Sequence, residues 1–191
     1  MKRIAIFASG AGSNAKNIIQ YFGTNPEVTV VAVLTNNPNA KVLDAAAELG
    51  VATLVFSREE FYKTHKINQF LGDQHVDLIV LAGFLWLVPQ HLVHDYPRRI
   101  INIHPALLPK FGGKGMFGNH VHEAVKASGA EESGITIHFV NEKYDEGDIL
   151  FQTTCKVSNE DTPETIAAKV HQLEYEYYPK VIEQLLLLQN A

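Results

Sequence analysis

Three stretches of this sequence set polar side chains where they could act together on a carbonyl carbon and an anion. The first, Asn102-Ile103-His104-Pro105, closes an apolar run that begins at Ile100. Strand alternation puts Asn102 and His104 on one side, so an amide donor and an imidazole converge beyond the strand end. Such a pair suits a reaction in which negative charge grows on a carbonyl oxygen. Pro105 fixes the exit of the chain and restricts His104 to extended geometry. The plain alternative is a polar strand end with a satisfied histidine.

The second stretch is the polar loop between Val140 and Ile149, where Asp145, Glu146 and Asp148 put three carboxylates within four residues. A solvated acidic turn is the default reading of such a run. The sharper reading lets one carboxylate reach the imidazole, raise its pKa and fix its orientation. The third stretch is Gly10-Ala11-Gly12-Ser13-Asn14-Ala15, a loose form of the dinucleotide fingerprint. Small residues let the backbone approach an anion, and a helix opening near Ser13 offers free amides to it. A full dinucleotide site also needs a carboxylate at the end of the second strand. Leu34-Thr35-Asn36-Asn37 has none there, so the pattern supports phosphate binding more than NAD; a turn that merely joins strand to helix is the alternative.

Other candidates carry less. His120 and His122 diverge on a helix and have no companion ligands, which argues against zinc and for no metal at all. Gly112-Gly113-Lys114-Gly115 lacks the upstream glycine and the hydroxyl of a Walker motif and reads as a mobile active-site loop. Leu173, Tyr177 and Tyr178 read as packing residues, and Cys155 as a small strand residue.

The elements that must position these groups alternate short apolar runs with helical patterns. That signature predicts an α/β fold, a Rossmann-like open twisted sheet, mostly parallel, with helices on both faces. Strands are expected at Arg3–Ala8, Val28–Leu34, Thr53–Phe56, Asp77–Ala82 and Ile100–His104. An antiparallel pair follows at Gly134–Val140 and Ile149–Val157. Helices are expected at Ser13–Phe22, Ala40–Leu49, from a capping box at Ser57 and Glu60 through Leu71, and at His120–Ser128. A long last helix starts after Asp161 with Pro163 in its first turn, and Pro179 should kink or break it.

The 191 residues fit one domain, 1–191, with enough core to fold unaided. Lys plus Arg number 16 and Asp plus Glu 21, a formal net charge of −5 that disfavours general nucleic-acid binding. The single cysteine is consistent with a reducing compartment. The apolar start at Ile4–Ala8 is too short for a signal core, and no run reaches a membrane span. The expectation is a cytoplasmic protein with no membrane partner.

Taken in order, Ser9-Gly10-Ala11-Gly12-Ser13-Asn14, Leu81-Ala82-Gly83-Phe84, Asn102-Ile103-His104-Pro105-Ala106-Leu107-Leu108-Pro109 and Gly134-Ile135-Thr136-Ile137-His138-Phe139-Val140 with Tyr144-Asp145-Glu146-Gly147 resemble the phosphoribosylglycinamide formyltransferase family. The resemblance implies transfer of a formyl group from 10-formyltetrahydrofolate, a cosubstrate, to the amine of glycinamide ribonucleotide in purine synthesis. It implies catalytic roles for three residues. Asn102 donates to the formyl oxygen, protonated His104 stabilises the oxyanion and acts as general acid, and Asp145 keeps His104 charged. It places the ribonucleotide phosphate at Gly12, Ser13 and Asn14, with Glu174 also on the ribonucleotide. It places the folate at Leu85, Trp86, Leu87 and Val88, at Asn141 and Tyr144 with Asn102, and at Arg58. Trp86 stands where some relatives carry Arg, and the loop Phe111–Asn119 is longer than in some. The implied partners are these small molecules, with the chain a monomer or homodimer.

Methionyl-tRNA formyltransferases share an Asn…His…Leu-Leu-Pro segment but add a tRNA-binding domain, and formyltetrahydrofolate hydrolases add an N-terminal regulatory one. The reach of the motifs from Gly10 to Glu174 leads us to expect neither. A dinucleotide oxidoreductase is opposed by the missing ribose carboxylate. A non-catalytic nucleotide-binding module would leave Asn102, His104 and Asp145 without a shared purpose.

Overall fold

The structure, a computed structural model, describes residues 1–188; the last three residues of the expected 1–191 domain lie outside the described residues. Its elements run β1 (Lys2–Phe7), α1 (Ser13–Phe22), β2 (Val28–Thr35), α2 (Val42–Glu48), β3 (Ala52–Val55), α3 (Arg58–Tyr62), α4 (Lys66–Asp73), β4 (Leu78–Leu81), α5 (Gln90–Asp95), β5 (Ile100–His104), α6 (Asn119–Ala127), β6 (Glu132–Phe139), β7 (Ile149–Lys156) and α7 (Pro163–Leu188). The strands form one sheet in the order β3-β2-β1-β4-β5-β6-β7. Pairing is parallel through β5, and β6 and β7 add antiparallel neighbours.

Strand alternation divides the apolar side chains between two cores. Ile4, Ile6, Leu78 and Val80 pack with Ile18, Val170 and Ile182 on the face that carries α1 and α7. Ala5, Phe7, Ile79 and Leu81 pack with Phe61, Leu71 and Leu92 on the opposite face. β4 is therefore buried on both sides, as its unbroken apolar run predicts.

Strand and helix positions follow the sequence to within a residue or two at most ends, and three local features differ. The helix expected from Ser57 to Leu71 is two helices, α3 and α4. The capping box at Ser57 and Glu60 is present, but Thr64 Oγ1 donates to Glu60 O (2.8 Å) and accepts from the Lys66 amide (3.3 Å). That hydroxyl competes with the helical ladder and divides it. The six-residue α5 was not expected, because so short a segment shows no periodicity.

The third difference is Pro179, which does not break α7. A proline leaves the carbonyl four residues earlier without its helical donor. Here that carbonyl is Tyr175 O, and Asn17 Nδ2 from α1 donates to it at 2.9 Å. The substitute bond ties α1 to α7. Buried Tyr178 adds a second tie, donating its hydroxyl to Leu81 O at 2.9 Å and more weakly to Ile101 O at 3.4 Å.

Candidate active site

From β1 the chain turns to β2 on one side of the sheet, and later returns as β4 on the other. Beyond the C-terminal ends of such strands lies the crevice where open α/β sheets bind ligands. A cavity of about 510 Å³ opens there. It is walled by Gly10–Asn14 after β1, by Leu81–Val88 at the end of β4 and by Asn102–Pro105 at the end of β5.

At its centre the antiparallel register of β5 and β6 sets Asn102 opposite His138 and His104 opposite Thr136. His138 Nδ1 lies 2.8 Å from Phe139 O, so this nitrogen carries the proton and Nε2 is left as an acceptor. Asn102 Nδ2 lies 3.1 Å from that Nε2 and donates to it. The second N–H of the amide is left over. His104 is anchored in a similar way, with Nε2 donating to Phe111 O at 2.8 Å. Its Nδ1 faces Asp145 Oδ2 at 3.5 Å, and the other carboxylate oxygen lies 3.6 Å from His138 Nε2. One carboxylate thus bridges two imidazoles, and the Gly113 amide donates to it at 2.9 Å.

Asp145 is presented by a strained turn with φ 56°. The turn ends at Gly147, where any Cβ would overlap the carbonyl of Phe139. Gly112 is also tightly packed, a Cβ there falling 3.3 Å from Asp145 Cβ and overlapping the Leu108 side chain. The glycines of both segments are what let the loop and the carboxylate meet.

The electrostatics correct one expectation. Burial pushes the His104 imidazole below its ordinary range, and the upward pull of Asp145 and of the Phe111 carbonyl does not recover it. Burial thus favours the neutral imidazole in the ligand-free chain, where the resemblance implies the charged one. Burial also pushes Asp145 upward, but the neighbouring His138 and His104 imidazoles and the Gly113 amide outweigh that and hold it below the usual carboxylate range.

At one end of the cavity, Gly12 takes a left-handed turn (φ 73°) and abuts Val42 so closely that a Cβ could not fit. That turn sets Ser13 and Asn14 as the first residues of α1, with their amides outside the helical ladder. Asn14 Nδ2 donates to Glu174 Oε2 at 2.9 Å, and His171 Nδ1 donates to the same oxygen at 2.8 Å. This hydrogen bond raises the His171 pKa against the opposing effect of burial. Asn14 Oδ1 and His122 Nδ1 are buried with no hydrogen-bond partner in the protein. Burial holds the His122 imidazole below its ordinary range.

The other end is apolar, lined by Leu85, Trp86, Leu87, Val88 and Val140, with Tyr144 at its edge. Arg58 and Asn141 are not in the cavity wall. Arg58 lies over the rings of Tyr62 (5.0 Å) and Trp86 (5.5 Å), behind the apolar arm. Asn141 Oδ1 accepts the Lys143 amide and shapes the acidic loop from outside. Among the expected site residues, then, the catalytic trio, the ribonucleotide set and Leu85–Val88 converge with Tyr144, while Arg58 and Asn141 stand apart.

The sequence reading weighs His122 only as a metal ligand and gives no site role to His138 or His171, yet all three line the cavity. A histidine inside an otherwise apolar strand was the available signal for His138. Among the described residues no group of three His, Cys, Asp or Glu side chains is placed to hold a metal ion, and no helix is long and apolar enough to cross a membrane.

Residues 2–182 match the family model described as formyl transferase. The chain is 42% identical over 187 residues to a chloroplastic phosphoribosylglycinamide formyltransferase of Arabidopsis thaliana, covering 95% of this chain and 64% of that one. It therefore spans just under two thirds of that plant relative. A phosphoribosylglycinamide formyltransferase of Bacillus subtilis is 36% identical, with 100% of this chain and 97% of that one covered. The crystal structure of phosphoribosylglycinamide formyltransferase from Bacillus halodurans superposes with a TM-score of 0.86 at 34% identity, over 97% of this chain and 95% of that one. On sequence and on fold alike, the chain belongs to the formyl transferase family.

Proposed function

We propose that this chain, a single catalytic domain, transfers a formyl group from 10-formyltetrahydrofolate to the amine of glycinamide ribonucleotide. The reading is supported above all by one arrangement: Asn102, His104 and Asp145 meet between a helix N-terminus and an apolar arm within one cavity. The helix end suits a phosphate. With a formal net charge of −5, the chain must hold that phosphate locally, and the unladdered amides of Ser13 and Asn14 are placed for it. Asn14 Oδ1, buried without a partner, fits a ligand hydroxyl, as does Glu174. The apolar arm fits a flat heteroaromatic ring, held chiefly by the backbone of Leu85–Val88.

When bound, the reduced folate supplies a formyl group carried on nitrogen. The chain's residues then do the following. Asn102 directs the N–H not used by His138 at the formyl oxygen, where negative charge develops as the amine adds to the formyl carbon. His104, neutral at the outset, accepts the amine's proton at Nδ1, since Nε2 is committed to Phe111. Asp145 stabilises the imidazolium so formed, which faces the oxyanion. The same proton then passes to the departing nitrogen as its bond to the formyl carbon breaks, and His104 returns to neutral. This reverses the starting state expected from the sequence: the imidazole acts first as base, then as acid. The enzyme would act in the cytoplasm as a monomer or homodimer.

The deciding experiment supplies purified protein with both substrates and follows tetrahydrofolate release. Release that depends on the ribonucleotide is expected; release at the same rate without it would replace this reading with a hydrolase.

A further inference from the structure

The end of β2 carries two asparagines where a dinucleotide fold would carry a ribose-binding carboxylate, and neither lines the cavity. Both are turned toward Ser9, the buried residue between β1 and the glycine turn. Every hydrogen-bonding group of Ser9 is engaged. Its amide donates to Gly83 O at 3.0 Å. Its hydroxyl donates to Asn36 Oδ1 at 2.6 Å and accepts from the Leu85 amide at 3.1 Å, while its carbonyl accepts from Asn37 Nδ2 at 3.3 Å. Ser9 does not line the cavity.

The Leu85 bond matters because of how the chain leaves β4. Phe84 and Val88 are anchored in the core, but Gly83 takes a left-handed conformation in open surroundings and Leu85 is 46% exposed, so at Leu85 itself packing adds little. Two side chains supply polar ties to the segment on either side of it. Tyr62 donates to Leu87 O at 2.8 Å from the far side, and Ser9 holds the Leu85 amide from the side of Gly10–Asn14.

We propose that Ser9 is a positioning residue whose hydroxyl holds the donor-binding segment Leu85–Val88 at a set offset from the ribonucleotide loop, with Asn36 orienting that hydroxyl. The proposal rests on the assignment of Leu85–Val88 to the folate. The Asn36 carboxamide consumes the hydroxyl proton, so the Ser9 lone pairs are presented to Leu85 rather than to solvent.

The test pairs steady-state kinetics with amide hydrogen exchange of the ligand-free protein. Ser9→Ala should raise KM for 10-formyltetrahydrofolate about fivefold, the loss expected of one net hydrogen bond. Ribonucleotide KM and kcat at saturating donor should stay within about twofold, because the loop and the catalytic groups keep their own bonds. Ser9→Thr, which keeps the hydroxyl, should restore the donor KM. In Ser9→Ala the Leu85 amide should exchange several-fold faster while the β5 amides do not change. Unchanged donor KM, or equal weakening of both substrates, would overturn the proposal. So would unchanged Leu85 exchange, whatever the substrates are. Absence of formyl transfer in the unsubstituted protein would overturn the functional reading instead, leaving the exchange result to decide the role of Ser9.

Discussion

The cavity contains two imidazole–carboxylate pairs that are alike in residue chemistry and behave oppositely. His104 faces Asp145 at 3.5 Å, deep in the site, and its pKa is lowered because loss of solvent outweighs the neighbouring charge. His171 bonds Glu174 at 2.8 Å, its side chain is half exposed, and its pKa is raised because the hydrogen bond outweighs burial. A carboxylate beside a histidine thus does not by itself determine the proton's affinity; the balance with desolvation does. The first pair is left able to gain and lose a proton during a reaction. The second is held toward the charged form, next to the helix end assigned to the phosphate.

The largest test of that contrast exchanges each carboxylate for its amide. Asp145→Asn should lower kcat by about a thousandfold, within the range for removing general acid–base support, with ribonucleotide KM changed only slightly. Glu174→Gln should leave kcat within a few-fold and raise ribonucleotide KM roughly tenfold, as loss of a charged hydrogen-bond partner would. The reverse pattern in steady-state kinetics would break the comparison. A smaller effect is expected from His138→Ala, which removes the acceptor for Asn102 and one neighbour of Asp145. The fall in kcat should be about tenfold, with His138→Gln recovering part of it through its side-chain oxygen.

The smallest effect is in stability against pH, and the two pairs should differ in sign. The raised pKa of His171 means a contribution present below the unfolded-state value, near 6.5, and lost as pH rises through the folded value. The lowered pKa of His104 means a contribution present above that value and lost as pH falls through the folded one. Thermal midpoints of His171→Gln should therefore converge on the parent's on the alkaline side. In His104→Asn the acid-side decline below about pH 6.5 should flatten. Parallel curves for the two variants would show that the pairs are equivalent after all.

What could be read from the sequence follows from range. β5, α1 and the capping box at Ser57 depend on local spacing, and they stand where spacing puts them. Asn102 and His104 were visible for the same reason. His138 was not, because its importance comes from the register of β6 against β5, and β6 is buried almost along its whole length, which erases the polar–apolar alternation. The fate of Pro179 depended on Asn17, 158 residues away from Tyr175 in sequence. The sign of the His104 shift depended on burial, which no spacing reveals.

The Tyr178 tie bears on how precisely α7 can hold Glu174. Four residues separate the two, about 6 Å of helix, so a tilt of about ten degrees around Tyr178 moves Glu174 by only about 1 Å. Pivoted instead at Leu188, about 21 Å away, the same tilt would carry it nearly 4 Å. By fixing the helix about one turn from Glu174, to the carbonyls of Leu81 and Ile101, the chain gives that carboxylate a short lever arm. Thermal sway of the helix's distal half is then absorbed far from the substrate.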